Sequence, residues 1–304
     1  MNASGHSNSL LTESLNLLVY LLADAMHRPQ RAWAFSSGGE RFPDTEEATS
    51  SNLVTPTMHS KVSNELAFFF LEAPMERAVF FDIGGTLLLA DPPVPDVFAR
   101  VARRLGHDIT VRDVEPCMAD VDAYYQDEYM RDGDFWCVHE RAVQIWLDMY
   151  AMMADYCGIR NDVEKLTQAV YDEYLLPECW SLFPDVEACL KGLKRRGFKL
   201  GVISNWDATL ENLLRSLGLL PYFDEVIASA AVGCRKPHRA IFEIALERMG
   251  VDPSQAVHVG DLVEADGDGA RNAGLRPVII DRRNTLANCP YERVTALTDL
   301  VSLL

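Results

Sequence analysis

Three things are scarce in this 304-residue sequence: positive charge, paired cysteines and long apolar runs. Only 28 Lys and Arg stand against 45 Asp and Glu, leaving a formal charge of −17. Nucleic-acid binding and adhesion to anionic membranes both need clustered cations to displace counterions, so both partner classes are excluded. The seven cysteines, at 117, 137, 157, 179, 189, 234 and 289, form no CxxC pair and are odd in number. Neither a zinc site nor a complete disulfide framework is indicated, and a reducing, cytoplasmic setting is expected. The densest apolar run of the first 75 residues, Leu15 to Met26, is too short to span a bilayer. No Lys or Arg precedes it and Glu13 does, which disfavours a signal peptide. Residues 1–75 read as a poorly ordered extension with one amphipathic helix, or as sequence upstream of a natural start at Met75.

What is present begins at residue 77, where short apolar runs alternate with helical patterns, the mark of βαβ units and a parallel sheet. Strands are predicted at 78–81, 198–203, 226–228, 256–259 and 277–280. Between them fall a helix carrying Val186, Leu190 and Leu193 that stops at Gly197, helices over 208–217 and 238–249 closed by Gly218 and Gly250, and one through Ala270. The expected fold is α/β, a doubly wound, Rossmann-like parallel sheet over 76–91 and 181–304. Residues 92–180 lack a strand pattern and are rich in Tyr, Met, Trp and acids at helical spacing, which predicts an inserted α-helical cap. That segment holds 18 acidic and 8 basic residues, a formal charge of −10.

In an open parallel sheet ligands bind beyond the carboxyl ends of the strands. The polar residues there are Asp82 and Thr86, then Ser204 and Asn205, then Lys236 before a helix, then Asp261 and Asp266. Each alone has a bland explanation as a cap or turn residue; in this order, each at a strand end, they supply one chemistry. A carboxylate can attack phosphorus, a hydroxyl and an amide can hold phosphate oxygens, and Lys236 can cancel charge. Asp82 and Asp261 offer the hard oxygens that Mg2+ prefers.

The segments DIGGTLL, VISNWD, VGCRKPHRAIF and VHVGDLVEADGDGA resemble, in order, the four motifs of the haloacid dehalogenase-like (HAD) hydrolases with a helical cap between the first and second motifs. The likeness covers residues 77–285. It implies Asp82 as nucleophile, Lys236 and Ser204 on the phosphoryl group, and Thr86 in the same loop. It further implies Asp82, the Gly84 carbonyl and Asp261 as Mg2+ ligands, with Asp266 as a further metal acid. Phosphatases of this superfamily usually carry a second Asp, a general acid and base, where this chain has Gly84. First motifs of the FDxGGTL type also resemble the REG-2-like branch, which lacks that Asp in the same place. Loss of such a group typically removes about 10² to 10⁴ in rate. Asp91, Asp207 and Glu264 are the nearby acids that could stand in. Dehalogenases of the family lack the fourth-motif acids, and phosphonate-cleaving members need a Lys early in the cap, where this segment has only the late Lys165.

The expectation is a Mg2+-dependent hydrolase of a small phosphorylated metabolite, or else a phospholigand-binding protein of low turnover. Phe135, Trp136, His139, Tyr124 and Tyr125 are expected mainly as packing residues of the cap.

Overall fold

The computed structural model describes residues 77–304; the helix expected within 1–75 lies outside them. Six strands form one parallel sheet: β1 (Ala78–Phe81), β4 (Lys199–Ser204), β5 (Glu225–Ala228), β6 (Ala256–Gly260), β7 (Arg276–Ile280) and β8 (Glu292–Val294). Their order across the sheet is β5-β4-β1-β6-β7-β8. Two further strands, β2 (Leu88–Ala90) and β3 (Trp180–Leu182), pair antiparallel as a small separate ribbon. The ribbon brackets the helical segment between residues 91 and 179.

The main sheet is buried on both sides, and the strand sequences show why. In β1 all four residues are fully buried. Val79 and Phe81 enter a core with helices α5 (Val186–Arg195), α6 (Leu210–Ser216) and α8 (Leu297–Leu303). Ala78 and Phe80 enter the opposite core with α7 (Arg239–Met249), which contributes Ile241, Phe242, Ala245, Leu246 and Met249 at intervals of one helical turn. Burying each Phe contributes about 1.5–3 kcal/mol. Packing here leaves no slack: a Cβ on Gly201 of β4 would lie 2.6 Å from the Phe80 ring. The residues expected to close three helices, Gly197, Gly218 and Gly250, all take positive φ, the conformation that a left-handed cap requires.

The inserted segment is helical and has its own core. Helices α1 (Val94–Arg104), α2 (Met118–Asp132), α3 (His139–Tyr156) and α4 (Val163–Glu173) gather around Phe98, Phe135, Met149, Met153 and Leu166. Among the described residues no helix is long and apolar enough to cross a membrane, and all seven cysteines are free thiols.

The chain leaves β1 toward β4 on one side and later returns to β6 on the other. The loops after β1, β4 and β6 therefore open at one switch point, with β1 central.

Candidate active site

Asp82 follows the last residue of β1, Ser204 ends β4 and Asp261 follows β6. Because β1 pairs in register with both neighbours, these three groups meet above one end of the sheet. Lys236, from the loop before α7, enters beside them and is only 2% exposed. Its Nζ donates to Asp82 Oδ1 at 2.6 Å and to Asp266 Oδ1 at 2.6 Å. Ser204 Oγ donates to the same Asp82 oxygen at 2.9 Å. Oδ1 of Asp82 thus accepts from two donors, and Oδ2 has no hydrogen-bond partner among the described residues.

Charge decides what this cluster can hold. Carboxylate oxygens of Asp82, Asp261 and Asp266 lie within 4.8 Å of one another, and one Lys cannot neutralise three acids. The Asp82 carboxyl is pushed up by burial, a shift that Lys236 opposes and Asp266 reinforces. Asp261 rises well above the carboxylate range, first through desolvation and then through the charges of Asp82 and Asp266. Asp266 behaves oppositely: burial is the largest influence and pushes it up, but Lys236 and His258 together pull it well below the usual range. Two acids with unfavourable charge and oxygen-only donors fit a hard divalent cation such as Mg2+. Gly85 keeps that place open, since a Cβ there would lie 2.4 Å from Asp261 Oδ2, and its φ of +72° favours glycine independently.

Asp266 is fully engaged. Besides Lys236, its Oδ1 accepts from His258 Nε2 at 2.8 Å, and its Oδ2 accepts from the Leu262 amide at 3.0 Å. His258 is completely buried, burial lowers its pKa, and its Nδ1 has no partner. A neutral imidazole donating to Asp266 accounts for this geometry, in keeping with the packing role expected from its place inside β6.

Two residues expected to touch ligand also serve the protein's own loops, and one of them, Asn205, lines the cavity. Asn205 donates to the Lys236 carbonyl at 3.1 Å and accepts from the Lys236 amide at 2.8 Å, so its side chain clamps the lysine loop. Thr86 is fully buried, is not part of the cavity wall, and has an unpartnered hydroxyl. Its carbonyl accepts from Arg282 at 2.6 Å, and Arg282 also pairs with Asp185 at 3.0 Å. Thr86 therefore anchors the loop after β1 from behind. Of the possible stand-in acids, Asp91 is exposed and accepts from Ser181, and Glu264 is exposed and off the cavity wall. Asp207 does line the cavity, but both its oxygens accept: Thr209 N at 2.8 Å and the Thr209 hydroxyl on one, Tyr171 Oη at 2.9 Å on the other.

Above these groups is a cavity of about 160 Å3 whose wall includes Asp82, Gly84, Ser204, Lys236 and Asp261 together with aromatic residues of the inserted helices. Several bonds hold those helices over the sheet. Arg235 donates to Tyr129 Oη at 2.8 Å, with its guanidinium 4.8 Å from that ring's centre, and Ser229 Oγ donates to the Trp136 carbonyl at 2.7 Å. Arg235 has no motif of its own in the sequence. Its place directly before Lys236 was the available signal.

The comparisons with known proteins agree with this architecture. The family model for haloacid dehalogenase-like hydrolases matches residues 76–274. Haloacid dehalogenase-like hydrolase domain-containing protein 3 of Mus musculus is 32% identical over 207 residues, which are 67% of this chain and 81% of that protein. A glyceraldehyde 3-phosphate phosphatase of Methanothermobacter thermautotrophicus is 42% identical over 132 residues, 40% of this chain and 56% of that one. Among solved structures, a HAD phosphatase from Thermococcus onnurineus shares 26% identity with a TM-score of 0.52, covering 75% of this chain and 97% of its own. The magnesium-bound HAD-hydrolase YfnB from Bacillus subtilis, at 18% identity and a TM-score of 0.61 over 76% of this chain and 99% of its own, shares the fold. The chain belongs to the haloacid dehalogenase-like hydrolases.

Proposed function

We propose that this hydrolase is a Mg2+-dependent phosphatase of a small phosphorylated metabolite, working through an aspartyl-phosphate on Asp82. The observation that carries the reading is the convergence of Asp82, Asp261 and the buried Lys236 on one cavity floor. Asp82, Asp261 and the Gly84 carbonyl would hold the ion, with Asp266 behind them steadying Lys236. Once bound, Mg2+ supplies charge neutralisation and polarises phosphoryl oxygens. Ser204 and Lys236 fix one oxygen of Asp82, so that the free Oδ2 faces the phosphoryl group. The Lys236 ammonium, whose pKa is raised because two carboxylates outweigh the effect of its burial, stays charged throughout and offsets the anion brought in by substrate. Residues 92–180 act as a cap that excludes water and selects the organic group. The substrate is neither nucleic acid nor lipid surface, and the setting is the cytoplasm.

Relatives named as phosphatases of glyceraldehyde 3-phosphate and of phosphoserine support phosphoryl transfer as the reaction class. Gly84, in the place of the usual second acid, favours one competing reading: a phospholigand-binding protein of low turnover. Acetyl phosphate and 4-nitrophenyl phosphate, assayed with and without Mg2+, separate the two. Mg2+-dependent release of phosphate that vanishes in Asp82→Asn is expected; equal traces from both proteins would refute the enzyme.

A further inference from the structure

The wall of the cavity changes character above its floor. The floor is ionic, whereas the upper wall is built from rings, among them Trp136, Trp146, Tyr150, Trp180 and Trp206. Trp136 and Trp146 stand edge to face with centres 6.1 Å apart, and Trp180 and Trp206 are tilted together at 5.1 Å. Ala90, Val94, Leu175 and Leu262 fill the spaces between, and Leu175 and its neighbour Leu176 are exposed. Among the described residues Lys236 is the only cation on the wall, and Asp82 and Asp266 already occupy it. A substrate carboxylate or second phosphate finds no positive partner here. A polyhydroxylated chain would exchange water for ring faces, while a flat apolar group loses little on entry. It gains about 25 cal/mol per Å2 buried, plus about 0.5–1.5 kcal/mol for each well-placed ring pair.

The same wall also limits the leaving group. Among the described residues no His lines it, and the one acid of its upper half, Asp207, accepts donors on both oxygens. The departing oxygen must therefore leave largely unprotonated. A phenol, with a pKa of about 10 like the tyrosine side chain, does so far more readily than an alkanol.

We infer that the site takes phosphate monoesters of aromatic alcohols in preference to phosphorylated sugars or amino acids. This deepens the phosphatase reading and rests on it. Asp82 Oδ2 forms a bond to phosphorus as the bond to the phenolic oxygen breaks, and the electron pair leaves with that oxygen. Water then attacks the aspartyl-phosphate, restoring the carboxylate and releasing inorganic phosphate. One water proton ends on the phosphate and the other on the phenoxide.

The test uses the full chain with Mg2+ and compares phenyl phosphate, glucose 6-phosphate, O-phosphoserine and acetyl phosphate. The expected kcat/KM for phenyl phosphate exceeds that for the sugar and amino-acid esters about tenfold or more, the equivalent of one or two ring contacts. Phenylphosphonate should quench the indole fluorescence at about one tenth the concentration that methylphosphonate needs. In Trp146→Leu, the loss of kcat/KM should be several-fold larger for phenyl phosphate than for acetyl phosphate. Preference for glucose 6-phosphate or phosphoserine, or equal quenching by the two phosphonates, overturns the inference. Absence of acetyl phosphate turnover overturns the phosphatase reading instead, and the phosphonate titration still decides the aromatic preference.

Discussion

Replacing Lys236 with Met tests the electrostatics of the site without reference to any substrate. The ammonium lies 2.6 Å from Asp82 and 2.6 Å from Asp266, at 2% exposure, and Asp261 stands in the same acid cluster. Met keeps most of the volume and removes the charge, leaving three carboxylates crowded together with no cation. Removing one partner from a buried pair typically costs about 3–5 kcal/mol. For a body of this size each kcal/mol lowers the melting temperature by about 2–4 °C, so a fall of roughly 6–20 °C is expected. Arg239 supplies the control: its pair with Glu243 is equally short, at 2.6 Å, but exposed, and losing it should cost no more than about 0.5 kcal/mol. The pH dependence has a definite sign. Without the lysine, Asp82, already raised by burial, rises further and Asp266 loses the charge that most depresses it, so the folded state binds more protons than in the wild type and stability falls as pH rises. Lys236→Met should therefore melt higher at pH 5 than at pH 8, and added Mg2+ should rescue it more than it stabilises the wild type. In the wild type, the depressed Asp266 contributes stability present above the unfolded carboxylate pKa and lost only in strong acid, and the raised Lys236 contributes stability lost only in strong base. A loss no larger than that of Arg239→Met, or no recovery on acidification, refutes this account of the cluster.

Gly85→Ala places a Cβ 2.4 Å from Asp261 Oδ2 on a backbone of φ +72°, so the Mg2+ concentration for half-maximal activity should rise about tenfold or more in a metal titration. Gly84→Asp offers the leaving oxygen a proton donor; turnover of glycerol phosphate should increase about tenfold or more, with little change for 4-nitrophenyl phosphate, and no gain on either would show that protonation is not limiting. Asp122 has an unpartnered buried oxygen, and burial raises its pKa to about 7. Its folded-state value exceeds the unfolded one, so stability falls between about pH 4 and pH 7 and stays lower above. Asp122→Asn should melt like the wild type at pH 4 and higher at pH 8, by about 1–2 kcal/mol after allowance for partial exposure.

The sheet was legible in the sequence because its strands carry their evidence locally. Ala78 to Phe81 is apolar at every position, as a strand covered on both faces must be, and an acid ends it. The strand β8 has no such signature: Glu292 and Arg293 are exposed, and only Val294 turns inward. Ribbon strands β2 and β3 are three residues each and find each other across the whole inserted segment, so no local pattern announces their pairing. The chain after β6 forms a π-helical turn at Val263–Asp268 before a single α-turn, where a plain helix through Ala270 was expected. That wider turn carries Asp266 back beneath Lys236, with its Oδ2 on the Leu262 amide. Sequence order brought Lys236 and Asp266 to one site; their direct pairing, and the bond of His258 to the same Asp266 oxygen, depended on that turn.

The aromatic residues of the insertion show a different limit. Periodicity assigns Tyr125, Phe135 and Trp136 to a helical core, and all three are buried there, with Trp136 Nε1 donating to Tyr125 Oη at 3.0 Å. Yet Tyr125 and Trp136 also belong to the cavity wall, while Phe135 does not. A large ring has two faces and an edge, so it can complete a core on one side and line a cavity on the other. Composition cannot distinguish the two uses, because both remove the same apolar surface from water. What distinguishes them is the partner supplied by another part of the chain, here the floor built around Asp82 and Lys236. The inserted helices close over that floor through Tyr171 on Asp207 and Arg235 on Tyr129. Asp207 spends its second oxygen on that closure, and the cavity thereby loses the one upper-wall acid that could have replaced a proton donor at Gly84. Closure and leaving-group demand are thus tied to the same carboxylate. Tyr171→Phe, which frees that oxygen while keeping the ring, should raise turnover of alkyl phosphates relative to 4-nitrophenyl phosphate if the coupling holds; an unchanged ratio in initial-rate assays would break it.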